Sequence, residues 1–287
     1  MTVAAPTRLD AALDALASEP GAQVLAGGTD FMVEVNHGGR RPDAVVAVGR
    51  VGELREWGLE PDGVLRIGAG VTYTQLMDGE LARLVPGLAH ASRTVGSPQI
   101  RNAGTIGGNL GTASPAGDTL PVLAALDAEV ELLSADGPRR LPLDEFITGP
   151  KRTALRQGEL ITAVRVPPAS PGDSHEYLKV GTRNAMVIAV ASCAVIVEPS
   201  ARRVRVALGS VGPRPLRASD AEAWAHRHVD WETGEVGDAS EFGRLVAEAA
   251  LPIDDHRSTE AYRRHAVAVL ARRGLLRGLR PIQEEAA

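Results

Sequence analysis

Apolar residues recur at helical spacing near the start of the chain. Leu9, Leu13 and Leu16 stand at i, i+4 and i+7, which predicts an amphipathic helix over residues 7–16 with Thr7 as its N-cap and Asp10 in its first turn. Pro20-Gly21 ends it. The short run Val24-Leu25-Ala26 predicts a buried strand running into Gly27-Gly28, residues 31–35 open a helix, and residues 44–48 form a second strand. Residues 64–71 predict a strand whose glycines mark bulges or close backbone approach, and helices follow at 74–84 and 88–95. Residues 100–118 hold five glycines without apolar periodicity, so they form a long ordered loop or have no defined structure; long loops inside compact domains are usually functional. Beyond them come a helix at 120–126, a strand at 128–133, a turn at Gly137-Pro138 and a strand at 160–166.

The stretch Pro167-Pro168-Ala169-Ser170-Pro171-Gly172-Asp173-Ser174 has the composition of a linker. It sets the expected boundary between a first domain, residues 1–168 with subdomains of about 1–55 and 56–168, and a second, residues 174–281. Strands at 186–197 and 203–208 around Glu198-Pro199-Ser200 predict a hairpin. Helices follow at 221–228, 242–250 and 259–276, the last with Tyr262, Ala266, Val269 and Leu270 on one face.

Composition narrows the function classes. A chain of 287 residues exceeds what one core usually serves, and with aromatics at 3% the packing falls to Ala, Val and Leu. Thirty-one basic against 36 acidic residues leave a net charge of -5, which offers no footprint for nucleic acid or an anionic membrane. The single cysteine, Cys193, sits in an apolar run and cannot form an intrachain disulfide; its expected role is packing. An iron-sulfur cluster needs several thiolates, so any cluster this chain works with lies on another polypeptide. The first residues show no basic region followed by an apolar stretch, and no segment approaches 18 uninterrupted apolar residues. A soluble cytoplasmic protein without membrane insertion is expected.

Two Gly-rich segments carry the candidate chemistry. In Ala26-Gly27-Gly28-Thr29-Asp30, consecutive glycines after a strand permit positive φ and let amides converge on an anion; a plain strand-to-helix turn has the same sequence. Neither the Rossmann fingerprint nor the P-loop occurs: Gly68-Ala69-Gly70-Val71-Thr72-Tyr73 has Tyr where the third glycine belongs. The second segment, Gly104-Thr105-Ile106-Gly107-Gly108-Asn109 followed by residues 112–118, gathers glycines, hydroxyls, an amide and a carboxylate. A diphosphate takes many N–H donors at close range, and ribose and ribityl hydroxyls take acceptors such as Asn, Ser and Asp. Ile100 and Ile106 punctuate the segment as expected buried anchors.

At these residues the chain resembles the flavin-binding medium subunits of molybdenum hydroxylases, the group of xanthine dehydrogenase and carbon monoxide dehydrogenase. The resemblance rests on residues 24–31, 98–109 and 113–118, on Lys179 with Arg183-Asn184-Ala185-Met186, and on Asp254-Asp255-His256-Arg257 with Tyr262-Arg263-Arg264. It implies an α+β fold: a two-subdomain, vanillyl-alcohol-oxidase-like (PCMH-type) FAD-binding domain, then a smaller α+β domain of short antiparallel sheet and helices. It also implies that Val24, Leu25, Ala26, Gly27, Gly28, Thr29, Asp30 and Phe31, together with Thr105, Ile106, Gly107, Gly108 and Asn109, wrap the FAD diphosphate and ribityl chain. Thr112 and Asp118 would bind the polar middle of FAD, and Val95, Gly96 and Gly104 would line the adenosine and ribityl path. Ile161 and the Lys179 ammonium would approach the flavin ring. No His or Cys falls within either Gly-rich motif, so the FAD is expected to be non-covalent. The implied partners are a large molybdopterin-binding subunit carrying the molybdenum cofactor and a small subunit carrying 2Fe-2S clusters, assembled as a dimer of heterotrimers. Electrons would reach an external acceptor through this chain's FAD.

No catalytic acid, base or nucleophile and no metal ligand is expected here. His226 and His228 lack acidic or cysteine companions at metal-site spacing, His37 reads as a helix C-terminus, and Arg263-Arg264 and Arg272-Arg273 read as mainly solvated. Two rivals share the fold: an assembly subunit with a degraded FAD site, against which the intact residues 105–109 speak, and a stand-alone flavin oxidoreductase, against which the scarcity of aromatics speaks.

Overall fold

The computed structural model describes residues 2–286, with side chains through Glu284. The chain divides into two compact units, one of Met1–Leu76, Ser97–Ala113 and Asp127–Pro167, the other of Met77–Gly96, Ser114–Leu126 and Pro168–Ala287. The mixed helix-and-sheet architecture expected from the sequence is present in both.

In the first unit, strands Thr2–Ala4, Ala44–Ala47 and Gln23–Leu25 form a parallel sheet in that order. Helix Leu9–Ser18 buries Ala12 and Leu16 in one apolar cluster with Val46, Val48, Val51, Leu54 and Leu160. Its N-cap is Arg8 and not Thr7, and no side chain of the cap residue bonds into the helix. Glu53 takes over that task from a distance, accepting the Leu9 amide at 3.0 Å.

A five-stranded antiparallel sheet runs in the order Trp57–Leu59, Leu65–Gly68, Leu160–Val166, Glu129–Ser134, Gly137–Pro142. Gly137-Pro138 opens the last strand, and the turn is Ala135-Asp136. The central strand is buried throughout, including Arg165, whose guanidinium meets Glu60 at 2.7 Å, Asp62 at 2.5 Å and Glu129 at 2.9 Å. A buried cation persists because carboxylates surround it. The helix expected at 74–84 is broken into Tyr73–Leu76 and Gly79–Leu84. Gly79 takes φ +63°, and Asp78 Oδ1 accepts its amide at 2.8 Å, so a new N-terminus replaces continuous helix.

The second unit is built on an antiparallel sheet of Ser174–Val180, Ala191–Glu198, Arg203–Gly209 and Leu216–Arg217. Cys193, Val195, Val197, Val204, Val206 and Leu208 join one core with helices Ser219–His228, Ser240–Ala249 and Glu260–Gly278. The last helix lies directly on the sheet: a Cβ on Gly274 or Gly278 would fall 2.8 Å from Val195 or 2.6 Å from Val197. Its buried face is Arg263, Ala266, Val267, Leu270, Ala271, Gly274, Leu275 and Gly278. Tyr262, expected on that face, is 48% exposed, and Arg263, expected in solvent, is 3% exposed. The strand expected from residue 186 starts at Ala191, since Met186 sits at φ +49°.

Helix Pro86–Arg93 packs on strand Ser174–Val180 over His175. A Cβ on Gly87 would fall 3.4 Å from the His175 ring, and His90 Nδ1 donates to the His175 carbonyl at 3.0 Å. The His175 Nδ1 atom is buried and has no partner. Burial lowers its pKa to about 4, with Glu198 pulling it up and His90 and Arg205 pushing it down. The folded value lies below the unfolded one, so the unfolded chain takes up a proton first as pH falls from about 6.5 towards 4, and stability is lost across that window. The loss attributable to this one group is about 2–4 kcal/mol. Melting temperatures of His175→Gln and the unsubstituted chain at pH 7 and pH 4.5 check this: the variant's acid-induced drop is expected to be smaller, and equal drops would refute it.

Candidate functional site

The two Gly-rich segments meet within the first unit. Gly27 lies so close to helix Pro98–Ala103 that a Cβ on it would stand 1.8 Å from Ala103 O. Thr112 Oγ1 donates to Asp30 Oδ2 at 3.3 Å, joining the segments a second time. Beside them opens a cleft of about 880 Å³, within the roughly 300–1,000 Å³ of cofactor and small-molecule sites. Its walls include Val24, Ala26, Gly27, Gly28, Thr29, Asp30 and Phe31 from the first segment. Gly104, Thr105, Gly107, Gly108, Asn109 and Thr112 come from the second, and Ile161 from the central strand. The pairing register shifts between Ile161 and Ala163, a bulge where that strand borders the cleft. Ile106 is fully buried behind the wall, Leu25 packs toward Gly28 without lining the cleft, and Ile100 is only half-buried. Val95, Gly96, Asp118 and Lys179 belong to the second unit and are not among the lining residues.

Residues 100–118 are not one continuous loop: only 113–118 are turn and coil beyond the second helix. The stretch contributes to helices Pro98–Ala103 and Ile106–Thr112, capped by Ser97 Oγ accepting from Ile100 N at 3.4 Å and by Thr105 Oγ1 accepting from Gly108 N at 3.0 Å. Ala113, at φ 45°, closes the second helix. Ile-Gly-Gly-Asn-Leu-Gly-Thr has poor helix propensity, and tertiary contact selects the conformation. Ile106 N donates to Val71 O at 3.0 Å and Gly107 N to Ala69 O at 2.9 Å, while a Cβ on Gly107 would lie 2.5 Å from that of Ala69. The amides expected as anion donors at 106–108 are therefore engaged inside the protein. These glycines give close approach of one backbone to another.

Charge at the cleft is partly compensated. Glu34 pairs with Lys151 at 2.7 Å and Arg40 at 3.0 Å, and the hydrogen bond from Lys151 leads in holding its carboxyl below the usual range. The Arg40 guanidinium stands 4.7 Å from the centre of the Phe31 ring. Tyr73, Asn102, Gln23 and Arg55 also line the cleft, and sequence reasoning missed them. Tyr73 had a signal: it ends the Gly68-Ala69-Gly70 strand exit, and it packs on Gly104, where a Cβ would meet the ring at 2.7 Å. Gln23 Oε1 is buried without a partner.

In the second unit, Lys179 Nζ donates to Asp118 Oδ2 at 2.8 Å and to Thr94 O at 3.2 Å, and Tyr177 Oη donates to Asp118 Oδ1 at 2.8 Å. Burial pushes the Asp118 carboxyl up against the pull of Lys179 and Tyr177, and burial together with the Asp118 charge pushes the Tyr177 phenol well up. Among the described residues no three His, Cys, Asp or Glu side chains converge as a metal site. His226 Nδ1 bonds to Arg202 O at 2.8 Å, and His228 stacks on Trp224 with ring centres 4.6 Å apart. No described helix is long and apolar enough to cross a membrane.

A cleft of this volume, walled by two Gly-rich backbones, hydroxyls and cationic side chains and carrying the orphan Gln23 amide oxygen, has the character of a nucleotide-cofactor site. Comparison with known proteins makes the class specific. The family described as FAD binding domain in molybdopterin dehydrogenase matches residues 1–169, and the CO dehydrogenase flavoprotein C-terminal domain matches residues 176–277. The chain is similar to the xanthine dehydrogenase FAD-binding subunit of Escherichia coli O157:H7, with 31% identity over 91% of this chain and 90% of the relative. It is similar to the glyceraldehyde dehydrogenase medium chain of Sulfolobus acidocaldarius, with 33% identity over 91% and 92%. Among solved structures, a chain of carbon monoxide dehydrogenase from Hydrogenophaga pseudoflava superposes with a TM-score of 0.87 at 26% identity, over 98% of both chains. The chain belongs to the family of FAD-binding medium subunits of molybdenum hydroxylases.

Proposed function

We propose that this chain holds FAD in the first-unit cleft and acts as the electron-transfer medium subunit of a molybdenum-containing hydroxylase or dehydrogenase. The observation that carries the reading is a cleft of about 880 Å³ walled by both Gly-rich segments. Bound there, FAD supplies the ability to take electrons one at a time and release them in pairs. The chain's own residues bind, orient and shield it: glycine backbones allow close approach, Thr105, Asn109 and Thr112 offer hydrogen-bonding groups, and Ile161 offers an apolar wall. No His or Cys lines the cleft, which supports non-covalent attachment.

The functional division runs at residues 1–168 and 174–281, and the family resemblance supports cofactor-binding roles for Val95, Gly96, Asp118 and Lys179. The partners are a molybdopterin-binding large subunit and an iron-sulfur small subunit, joined as a dimer of heterotrimers in the cytoplasm. The purified chain, incubated with FAD and desalted, is expected to show flavin absorbance, and acid precipitation is expected to leave that colour in solution. A colourless protein would refute the site, and colour retained in the pellet would refute non-covalent binding. Co-purification from the native host is expected to bring down molybdenum and iron; a lone flavoprotein would refute the assembly.

A further inference from the structure

We propose that Arg55 supplies the positive charge that meets the cofactor's diphosphate, an assignment that rests on the flavin reading above. A diphosphate carries full negative charges, whereas backbone amides offer only partial positive ones. The amides of Ile106, Gly107 and Gly108 are moreover engaged by Val71 O, Ala69 O and Thr105 Oγ1. A side-chain cation would add a full positive charge to the amides of the first segment, and four line the cleft: Arg40, Arg55, Lys151 and Arg156. Arg40 and Lys151 share Glu34. Arg156 lies within electrostatic reach of Glu159, whose carboxyl it helps hold down. Arg55 alone of the four has no carboxylate partner among the described residues; its one side-chain bond is from Nη2 to Gly49 O at 2.5 Å.

That bond sets the guanidinium beside the first Gly-rich segment, because Gly49 lies against Ala26: a Cβ on Gly49 would stand 3.7 Å from Ala26 O. The stem is held by Gly68-Ala69-Gly70. Gly68 N donates to Glu56 O at 2.9 Å and Gly70 N donates to Leu54 O at 2.6 Å, gripping the backbone on either side of Arg55. A Cβ on Gly70 would fall 3.2 Å from Arg55 Cγ and 3.0 Å from Leu54 O. Gly68-Ala69-Gly70 fails as a dinucleotide fingerprint, yet its missing side chains make room for a cation that faces the same cleft.

The test titrates the full chain with FAD and with ADP at low and high salt, about 0.05 and 0.5 M, for the unsubstituted protein, Arg55→Gln and Arg55→Lys. Arg55→Gln is expected to weaken both ligands by about 10- to 100-fold at low salt and to flatten the salt dependence. Arg55→Lys is expected to keep most of that dependence, because the charge remains. Arg55 is exposed, so the melting temperature without ligand is expected to stay put, which separates lost charge from lost fold. Failure of the unsubstituted chain to take up FAD would refute the flavin site itself. Normal uptake, with Arg55→Gln matching it in affinity and salt dependence, would refute only the role of Arg55.

Discussion

Gly27→Ala is expected to weaken FAD binding by at least about 100-fold and to lower the melting temperature as well. The added Cβ would stand 1.8 Å from Ala103 O and 2.5 Å from Ala103 C. Both atoms are backbone, so no rotamer change relieves the overlap, and helix Pro98–Ala103 has to shift. Gly104 is the next residue, Thr105 caps the following helix, and Thr105, Gly107, Gly108 and Asn109 form the facing wall, so the displacement passes straight into the cleft. Overpacking of this kind costs about 1–3 kcal/mol or more. Gly28→Ala is the matched control. Gly28 takes φ +74°, yet its Cβ would stand 3.4 Å from Leu25 Cδ1, so the cost is backbone strain of about 1 kcal/mol and a few-fold in affinity. Fluorescence titration with FAD and thermal melting of both variants distinguish the two; equal affinities would show that close approach at Gly27 does not shape the site.

The same contrast explains what the sequence could and could not reveal. Leu160 to Val166 and Glu129 to Ser134 were legible because burial on a sheet leaves continuous or alternating apolar runs. The helix Ile106–Thr112 was not, because three glycines in seven residues give no helical signal and its conformation depends on Val71 and Ala69, more than 30 residues away. The motif's chemistry was legible in kind and misjudged in mechanism: its glycines admit neighbouring backbone, the amides of Ile106 and Gly107 are engaged in that contact, and the amide of Gly108 is held by the Thr105 cap. Arg55 lines the cleft from a segment whose local sequence carries no ligand pattern, and only the fold brings it to Gly49 and Gly70, and Tyr73 to Gly104. Thr7 failed as a cap for a similar reason, since Glu53, 44 residues from Leu9, supplies the acceptor.

Arg263 shows how far such tertiary selection reaches, and its replacement carries the second large effect. Beside Arg264 in a long helix, it has the local sequence of a solvated residue, yet it is 3% exposed. Its Nη1 donates to Val190 O and Ser210 O, both at 2.7 Å, and its Nη2 to Asp255 Oδ1 at 2.6 Å. One planar fork thereby fixes the start of a strand, the exit of another and the approach to its own helix, a task a lysine cannot copy. Arg263→Met fits the hole but leaves two carbonyls and a carboxylate without their donor, at a cost of about 3–5 kcal/mol. A fall in melting temperature of roughly 10 °C is expected at pH 7.

The pH dependence adds a second readout. Burial pushes the Asp255 carboxyl up, but the amides of Arg257 and Ser258 and the Arg263 guanidinium outweigh it and hold it well below the ordinary range. A carboxyl depressed in the folded state stabilises the protein above its unfolded value, near 4, and that stabilisation is lost as pH falls further. Removing Arg263 takes away part of the depression, so the gap in melting temperature between the variant and the unsubstituted chain is expected to narrow as pH is lowered through 4. Calorimetry across that range decides it: a gap that is small at pH 7, or one that widens in acid, would show that the buried fork does not anchor this part of the fold.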